Sequence, residues 1–259
     1  MKAVALLLCF TFASTLELQI PKFAWPWNSG SKIVGGQDVN INQIPYQVSV
    51  LHYNRHTCGG VILNNRHILT AAHCFDQVSN PREIQVRVGS SSAYHGGIIF
   101  DVKDIYIHDQ YNDKTLDFDV AILTLAYGLR FDTNVQPAVL AADGYQPKAN
   151  AEVIVSGWGK LSYQGPLPEQ LQKVNLYIVD HDDCYVAYME NHELSERNIC
   201  ATVADGSKDA CSGDSGGPLT EDGVVVGIVS WGVRCAEPDY PGVYSSIGYF
   251  RKWILEHTK

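Results

Sequence analysis

GVVVGIVSW, residues 223 to 231, is nine residues long, and five of them are valine or isoleucine. β-Branched side chains lose χ1 freedom in a helix and pack well on a pleated surface, so this run reads as a strand. Working outward, the same composition recurs in YQVSVLH (46 to 52), EIQVRV (83 to 88), DVAILTL (119 to 125), AEVIVSGW (151 to 158) and KVNLYIV (173 to 179). Clusters of Gly, Pro, Asn and Asp separate these runs, with no long amphipathic helix between them. The pattern is all-β, and its length suits either two β-barrels sharing an interface or one large sandwich. The exception is the C-terminus, where Ile247, Phe250, Trp253 and Ile254 recur at helical spacing and Ser245 or Ser246 can serve as N-cap.

The chain has 259 residues, 46% hydrophobic and 18% charged, enough to bury a core. Its formal charge of −9 offers no basic face for phosphates, which excludes a nucleic-acid partner and reads mainly as solubility. Lys2 precedes the apolar run AVALLLCFTFA and then small residues, the layout of a secretory signal too short to span a bilayer. We expect a signal at residues 1–17, ending in the region of Ala13 to Leu18, and no membrane anchor. The stretch from Thr15 to Lys32, TLELQIPKFAWPWNSGSK, reads as a cleavable leader, giving a propeptide at 18–32 and a mature domain at 33–259.

Cys9 falls inside the signal, which leaves Cys58, Cys74, Cys184, Cys200, Cys211 and Cys235. An even set in an oxidising compartment predicts three disulfides, among 15 pairings that spacing alone does not resolve. No Cys-x-x-Cys pair occurs, which argues against zinc.

Three stretches need a joint explanation. LTAAHC (69 to 74) puts His73 in a run of small and apolar residues; LDFDVAIL (116 to 123) puts Asp119 at the head of an apolar strand; GDSGGP (213 to 218) sets Ser215 among glycines. Singly, these are a core histidine, a strand-end turn and a loop filler. Jointly they supply a hydroxyl, a base to take its proton and a buried anion to orient the base, the requirements of nucleophilic acyl transfer.

IVGGQ (33 to 37), CGGVIL (58 to 63), LTAAHC, DFDVAIL, SGWG (156 to 159), DACSGDSGGPL (209 to 219) and SWG (230 to 232) together resemble the blocks of the chymotrypsin-fold serine proteases, trypsins in particular, in that family's order. The resemblance implies two six-stranded antiparallel Greek-key β-barrels with the active site between them and a C-terminal helix. It implies Ser215 as nucleophile, His73 as general base and acid, Asp119 as orienting anion, and the N–H groups of Gly213 and Ser215 as oxyanion hole. It places Asp209 at the base of a pocket for Arg or Lys, walled by Ala210, Ser230, Trp231, Gly232 and Gly242. It implies activation by cleavage after Lys32, freeing Ile33 to pair with Asp214, and the disulfides Cys58–Cys74, Cys184–Cys200 and Cys211–Cys235.

Partners are then protein or peptide substrates, protein protease inhibitors and an activating protease, acting on a monomer without cofactor. The alternatives are an inactive protease-fold binding protein and a narrow-specificity cascade protease. Ala210 stands where many trypsins carry Ser, so Arg is expected to be preferred over Lys. The segment GSSSAYHGGIIF, Gly89 through Phe100, lacks the carboxylates of the vertebrate calcium loop, so no calcium site is expected there. Arg234, bulky where small residues are common, is expected to bias the outer subsites against basic residues or toward acidic ones.

Overall fold

A computed structural model describes residues 36–162, 165–190, 192–203, 209–235 and 237–259. The expected signal, the propeptide, Lys32 and Ile33 lie outside the described residues.

After the two-residue strand β1 (Gln37–Asp38), six strands follow: β2 (Gln47–His52), β3 (Arg55–Ile62), β4 (His67–Thr70), β5 (Ile84–Val88), β6 (Ile98–Ile107) and β7 (Ala121–Leu125). They close in the order β2-β3-β4-β7-β6-β5, antiparallel throughout. A short parallel strand β8 (Val139–Leu140) leads to the second set: β9 (Glu152–Gly157), β10 (Gln172–Val179), β11 (Asn198–Thr202), β12 (Pro218–Glu221), β13 (Val224–Trp231) and β14 (Gly242–Ser246). These close as β9-β10-β11-β14-β13-β12, with β12 returning to β9, while β1 and β8 attach at β10 and β13. Two closed six-stranded antiparallel barrels result, as the resemblance implied.

The period of two explains each wall. In β5, Ile84, Val86 and Val88 point inward and Gln85 and Arg87 outward; in β10, Val174, Leu176 and Ile178 are buried while Asn175 and Tyr177 are exposed. The same alternation divides β7 between two cores. Ala121, Leu123 and Leu125 fill the first barrel, whereas Ile122, with the preceding Val120, packs into the cluster of the second. Val61, Leu69 and Ala71 join them, so the barrel interface is continuous with the second core. Burying each such side chain contributes about 1.5–3 kcal/mol. The strand just after Asp119 is therefore held by both barrels at once.

Helix α1 (His181–Tyr188) is capped by Asp180, which accepts from the Asp182 N–H at 3.0 Å. It has no continuous apolar stripe; Cys184, bonded to Cys200, and the Tyr188 hydroxyl, donating to the Pro241 carbonyl at 2.6 Å, tie it down. Helix α2 (Ile247–Glu256) starts at Ser246, whose hydroxyl accepts from Tyr249 N–H, and buries Ile247, Phe250 and Ile254 as the spacing predicted.

Candidate active site

His73 lies in a single-turn 3-10 helix (Ala72–Phe75) just after β4, and the adjacent Cys74 is bonded to Cys58 of β3. The turn presents two donors to one carboxylate: the His73 N–H meets Asp119 Oδ1 at 2.9 Å, and His73 Nδ1 meets Oδ2 at 2.7 Å. Asp119 is 1% exposed, which is tolerable only because its acceptors are filled. The Ser230 hydroxyl donates to Oδ2 at 2.5 Å and the Ser245 hydroxyl donates to the Asp119 carbonyl at 2.8 Å, both from the second barrel. A carboxylate only accepts, so His73 Nδ1 carries a proton and Nε2 is left as the basic nitrogen. Burial pulls the His73 pKa down, but the hydrogen bond and charge of Asp119, helped by Asp76, prevail and hold it above 6.5.

Ser215 stands in the loop before β12. Its carbonyl accepts from the Gly59 N–H at 2.7 Å and lies 4.0 Å from the Cys74 sulfur, so the loop is moored beside the residue that follows His73. Gly216 N–H to Val229 O (2.8 Å) and Gly217 N–H to Asp214 O (2.8 Å) fix the loop on its other side. Gly213 has φ 104°, a conformation that side chains resist. Its carbonyl accepts from His56 Nε2 at 2.9 Å, and His56 Nδ1 accepts from the Ser49 hydroxyl at 2.8 Å. Burial lowers His56 to about 4, with the Gly213 hydrogen bond opposing, so it is a neutral strut at neutral pH.

Beside Ser215 opens a cavity of about 320 Å³, lined by Asp209, Ala210, the Cys211–Cys235 disulfide, Ser230, Trp231, Gly232 and Gly242, with Arg234 also on its wall. Asp209 is buried, and its Oδ1 accepts from the Ala210 N–H at 2.8 Å. A Cβ at Gly242 would come within 2.7 Å of Asp209 Oδ1 and 3.2 Å of the Tyr244 hydroxyl, so only glycine leaves this floor open. The Tyr244 hydroxyl is buried with no hydrogen-bond partner among the described residues.

Asp214 lines a second, smaller cavity of about 30 Å³ with Gly36, Gly157, Gly159 and Gln172. Its Oδ1 accepts from Gly159 N–H at 2.7 Å and its Oδ2 from Cys211 N–H at 2.9 Å. A side chain at Gly157 or Gly159 would overlap this carboxylate, the physical content of the SGWG block. Burial pushes Asp214 up to about 6 despite those two donors.

Sequence reasoning missed Ser49, His56, Tyr244 and Ser245, whose roles arise from long-range contacts; only the position of His56 two residues before CGG offered a signal. The carboxylate-free segment from Gly89 becomes strand at Ile98, and Arg87 donates to the carbonyls of Gly96 (2.5 Å) and Tyr94 (3.1 Å) within it. Among the described residues, one His/Cys/Asp/Glu group is tight enough for a metal, Cys58, His73 and Cys74, and its sulfurs are spent in the disulfide. No described helix is long and apolar enough to cross a membrane.

Two closed barrels that meet at the Asp119–His73 pair, with the Ser215 carbonyl moored beside Cys74, fit the serine-protease class. The sequence matches the trypsin family over residues 33–254. It is 41% identical over 234 residues to a trypsin of Phaedon cochleariae, covering 90% of each chain. To a vitellin-degrading protease of Bombyx mori it is 37% identical over 253 residues, 98% of this chain and 94% of that one. Its fold is similar to that of neuropsin, a serine protease of the mouse limbic system, with TM-score 0.79 and 32% identity over 86% of this chain and 99% of the other. The chain belongs to the trypsin family and is a trypsin-like serine endopeptidase.

Proposed function

We propose that this chain is a secreted endopeptidase that cuts after Arg in preference to Lys, made as a zymogen with signal 1–17, propeptide 18–32 and catalytic domain 33–259. The observation that carries the specificity is the buried Asp209 in the lining of the cavity that Ser215 also lines. A cationic side chain long enough to reach Asp209 brings its own carbonyl to Ser215. An apolar side chain carries no charge complementary to that carboxylate and is discriminated against. Ala210 supplies no hydroxyl to a shorter lysine, whereas a guanidinium fork meets a carboxylate directly. The orphaned Tyr244 hydroxyl at the same floor offers the bound cation a further acceptor.

In the reaction the Ser215 hydroxyl adds to the scissile carbonyl as its proton passes to His73 Nε2, and Asp119 steadies the imidazolium. The negative oxygen is received by the N–H groups of Gly213 and Ser215, each such donor being worth about 10²- to 10³-fold in related hydrolases. His73 then protonates the leaving amine, and water releases the acyl group by the same steps.

Activation follows from Asp214. Burial raises the Asp214 pKa, which fits a carboxylate awaiting a cation, and the cavity beside it borders Gly36, three residues after Ile33. The ammonium freed by cleavage after Lys32 is the missing cation. Weak cleavage after lysine then calls for another protease as the usual activator.

The test is hydrolysis of matched Arg, Lys and Phe peptide amides by the purified chain, before and after cutting at Lys32, with Ser215→Ala as control. Activity that appears on cutting, favours Arg and vanishes in the control is expected; preferred Phe cleavage would overturn the role of Asp209.

A further inference from the structure

Asp119 is reached through a contorted stretch of chain. Leu116 has φ 54° and Phe118 φ 55°, so two bulky residues in three occupy the left-handed region immediately before the carboxylate. Each such residue costs on the order of 1–3 kcal/mol and persists only where its surroundings over-determine it.

What over-determines this stretch is Asp117. Its Oδ1 accepts from Arg197 Nε at 2.8 Å, from the Ser195 hydroxyl at 3.0 Å and from the Phe118 N–H at 3.0 Å, and its Oδ2 accepts from Arg197 Nη2 at 2.6 Å. The Arg197 guanidinium lies 4.4 Å from the Phe118 ring centroid and 5.5 Å from that of Tyr249, while His108 stacks on Phe118 at 4.7 Å. Asp117 also anchors by its carbonyl, which accepts from Asn112 N–H at 3.1 Å.

The donors come from the other barrel. Ser195 and Arg197 belong to the segment leading into β11, and the Arg197 carbonyl accepts from Ser246 N–H at 2.8 Å. Ser246 is the neighbour of Ser245, whose hydroxyl holds the Asp119 carbonyl. One rigid unit of the second barrel thus grips residues 117, 118 and 119 in sequence, although Asp119 and His73 are otherwise built on the first.

We infer that Arg197 is a positioning residue for the reaction: its fork on Asp117 and its face on Phe118 aim the Asp119 carboxylate at His73. The inference rests on the serine-protease reading above. Neither Arg197 nor Asp117 touches the imidazole; they act through the backbone that presents Asp119. A displacement of this kind is costly because misplacing a catalytic group by an ångström can lose about a hundredfold in rate.

The test uses the full chain cut after Lys32, with active sites titrated so that only folded enzyme is counted. The paired variant D117N/R197M removes the fork without stranding a charge, and Arg197→Lys keeps the charge but not the fork. On an Arg peptide amide, D117N/R197M is expected to lose about ten- to a hundredfold in kcat with KM changed by less than about twofold, and Arg197→Lys to fall between. The proton resonance of the His73 Nδ1–H bonded to Asp119 should move upfield in step. A lower melting temperature with kcat and that resonance unchanged would overturn the inference, as would a change in KM alone. Inactivity of the parent chain would instead overturn the serine-protease reading, and the resonance would still read the clamp.

Discussion

His73 follows β4 of the first barrel and Asp214 precedes β12 of the second, and their surroundings treat them oppositely. On the first barrel, His73 meets a carboxylate that receives two hydrogen bonds from it and a third from Ser230, and the pair is electrostatically complete. On the second, Asp214 has two backbone donors, no cation among the described residues, and a pKa pushed up to about 6 by burial. The His73–Asp119 pair is thus completed by folding, while the loop that carries Ser215 holds a buried carboxylate with no cation among the described residues. Control placed on the unfinished side can hold an enzyme inactive without disturbing its rigid half.

The comparison can be broken by substitution. Ser215→Ala should remove about a millionfold in kcat, the size of effect seen when one member of such a unit is lost. Asp119→Asn, by favouring the wrong imidazole tautomer on the finished side, should cost about 10⁴-fold in kcat. Asp214→Asn separates the halves most sharply. In the cut enzyme it breaks a buried pair, worth about 3–5 kcal/mol, so activity should fall roughly a hundred- to several thousandfold. In the uncut chain at pH 8 the same change removes a buried charge but sets an amide NH2 against the N–H of Gly159 or Cys211, so stability in urea denaturation should change much less than activity does in the cut enzyme. Ala210→Ser, which returns a hydroxyl to the pocket, should raise the Lys-to-Arg ratio of kcat/KM by up to about tenfold. The pH profile sharpens the first half alone. With His73 held above 6.5, the acid limb of kcat/KM should have its midpoint above that value, and Asp119→Asn should lower it.

Much of this was legible in the sequence because alternation and short-range composition carry it. The strands around Val86, Ile154, Leu176 and Val226 announced themselves by β-branched residues between turn clusters, and α2 by the spacing of Ile247, Phe250 and Ile254. The long strand β6 did not, since of its ten residues only Val102 is buried and charges interrupt both faces. Nor did α1, which is held by one disulfide and one tyrosine rather than by an apolar stripe. At the site, His73, Asp119 and Ser215 stood out because their local blocks are distinctive. The strut formed by Ser49, His56 and Gly213, and the grip of Arg197 on Asp117, join residues as far as 157 and 80 positions apart, and nothing local marks them.

The claim that Asp214 is the unfinished charge predicts a particular dependence of stability on pH. Its folded pKa lies above its ordinary value of 3.8, so the uncut chain binds more protons folded than unfolded and should lose about 3 kcal/mol as pH rises from about 4 to 6. His56, lowered from 6.5 to about 4, acts with the opposite sign over nearly the same range, and equally in both forms of the chain. The difference between forms therefore isolates Asp214. The measurement is urea denaturation of the Ser215→Ala chain from pH 4 to 8, uncut and after cleavage at Lys32. A stability gap in favour of the cut form that widens by about 3 kcal/mol between pH 4 and 6 is the predicted result; parallel curves for the two forms would contradict the account.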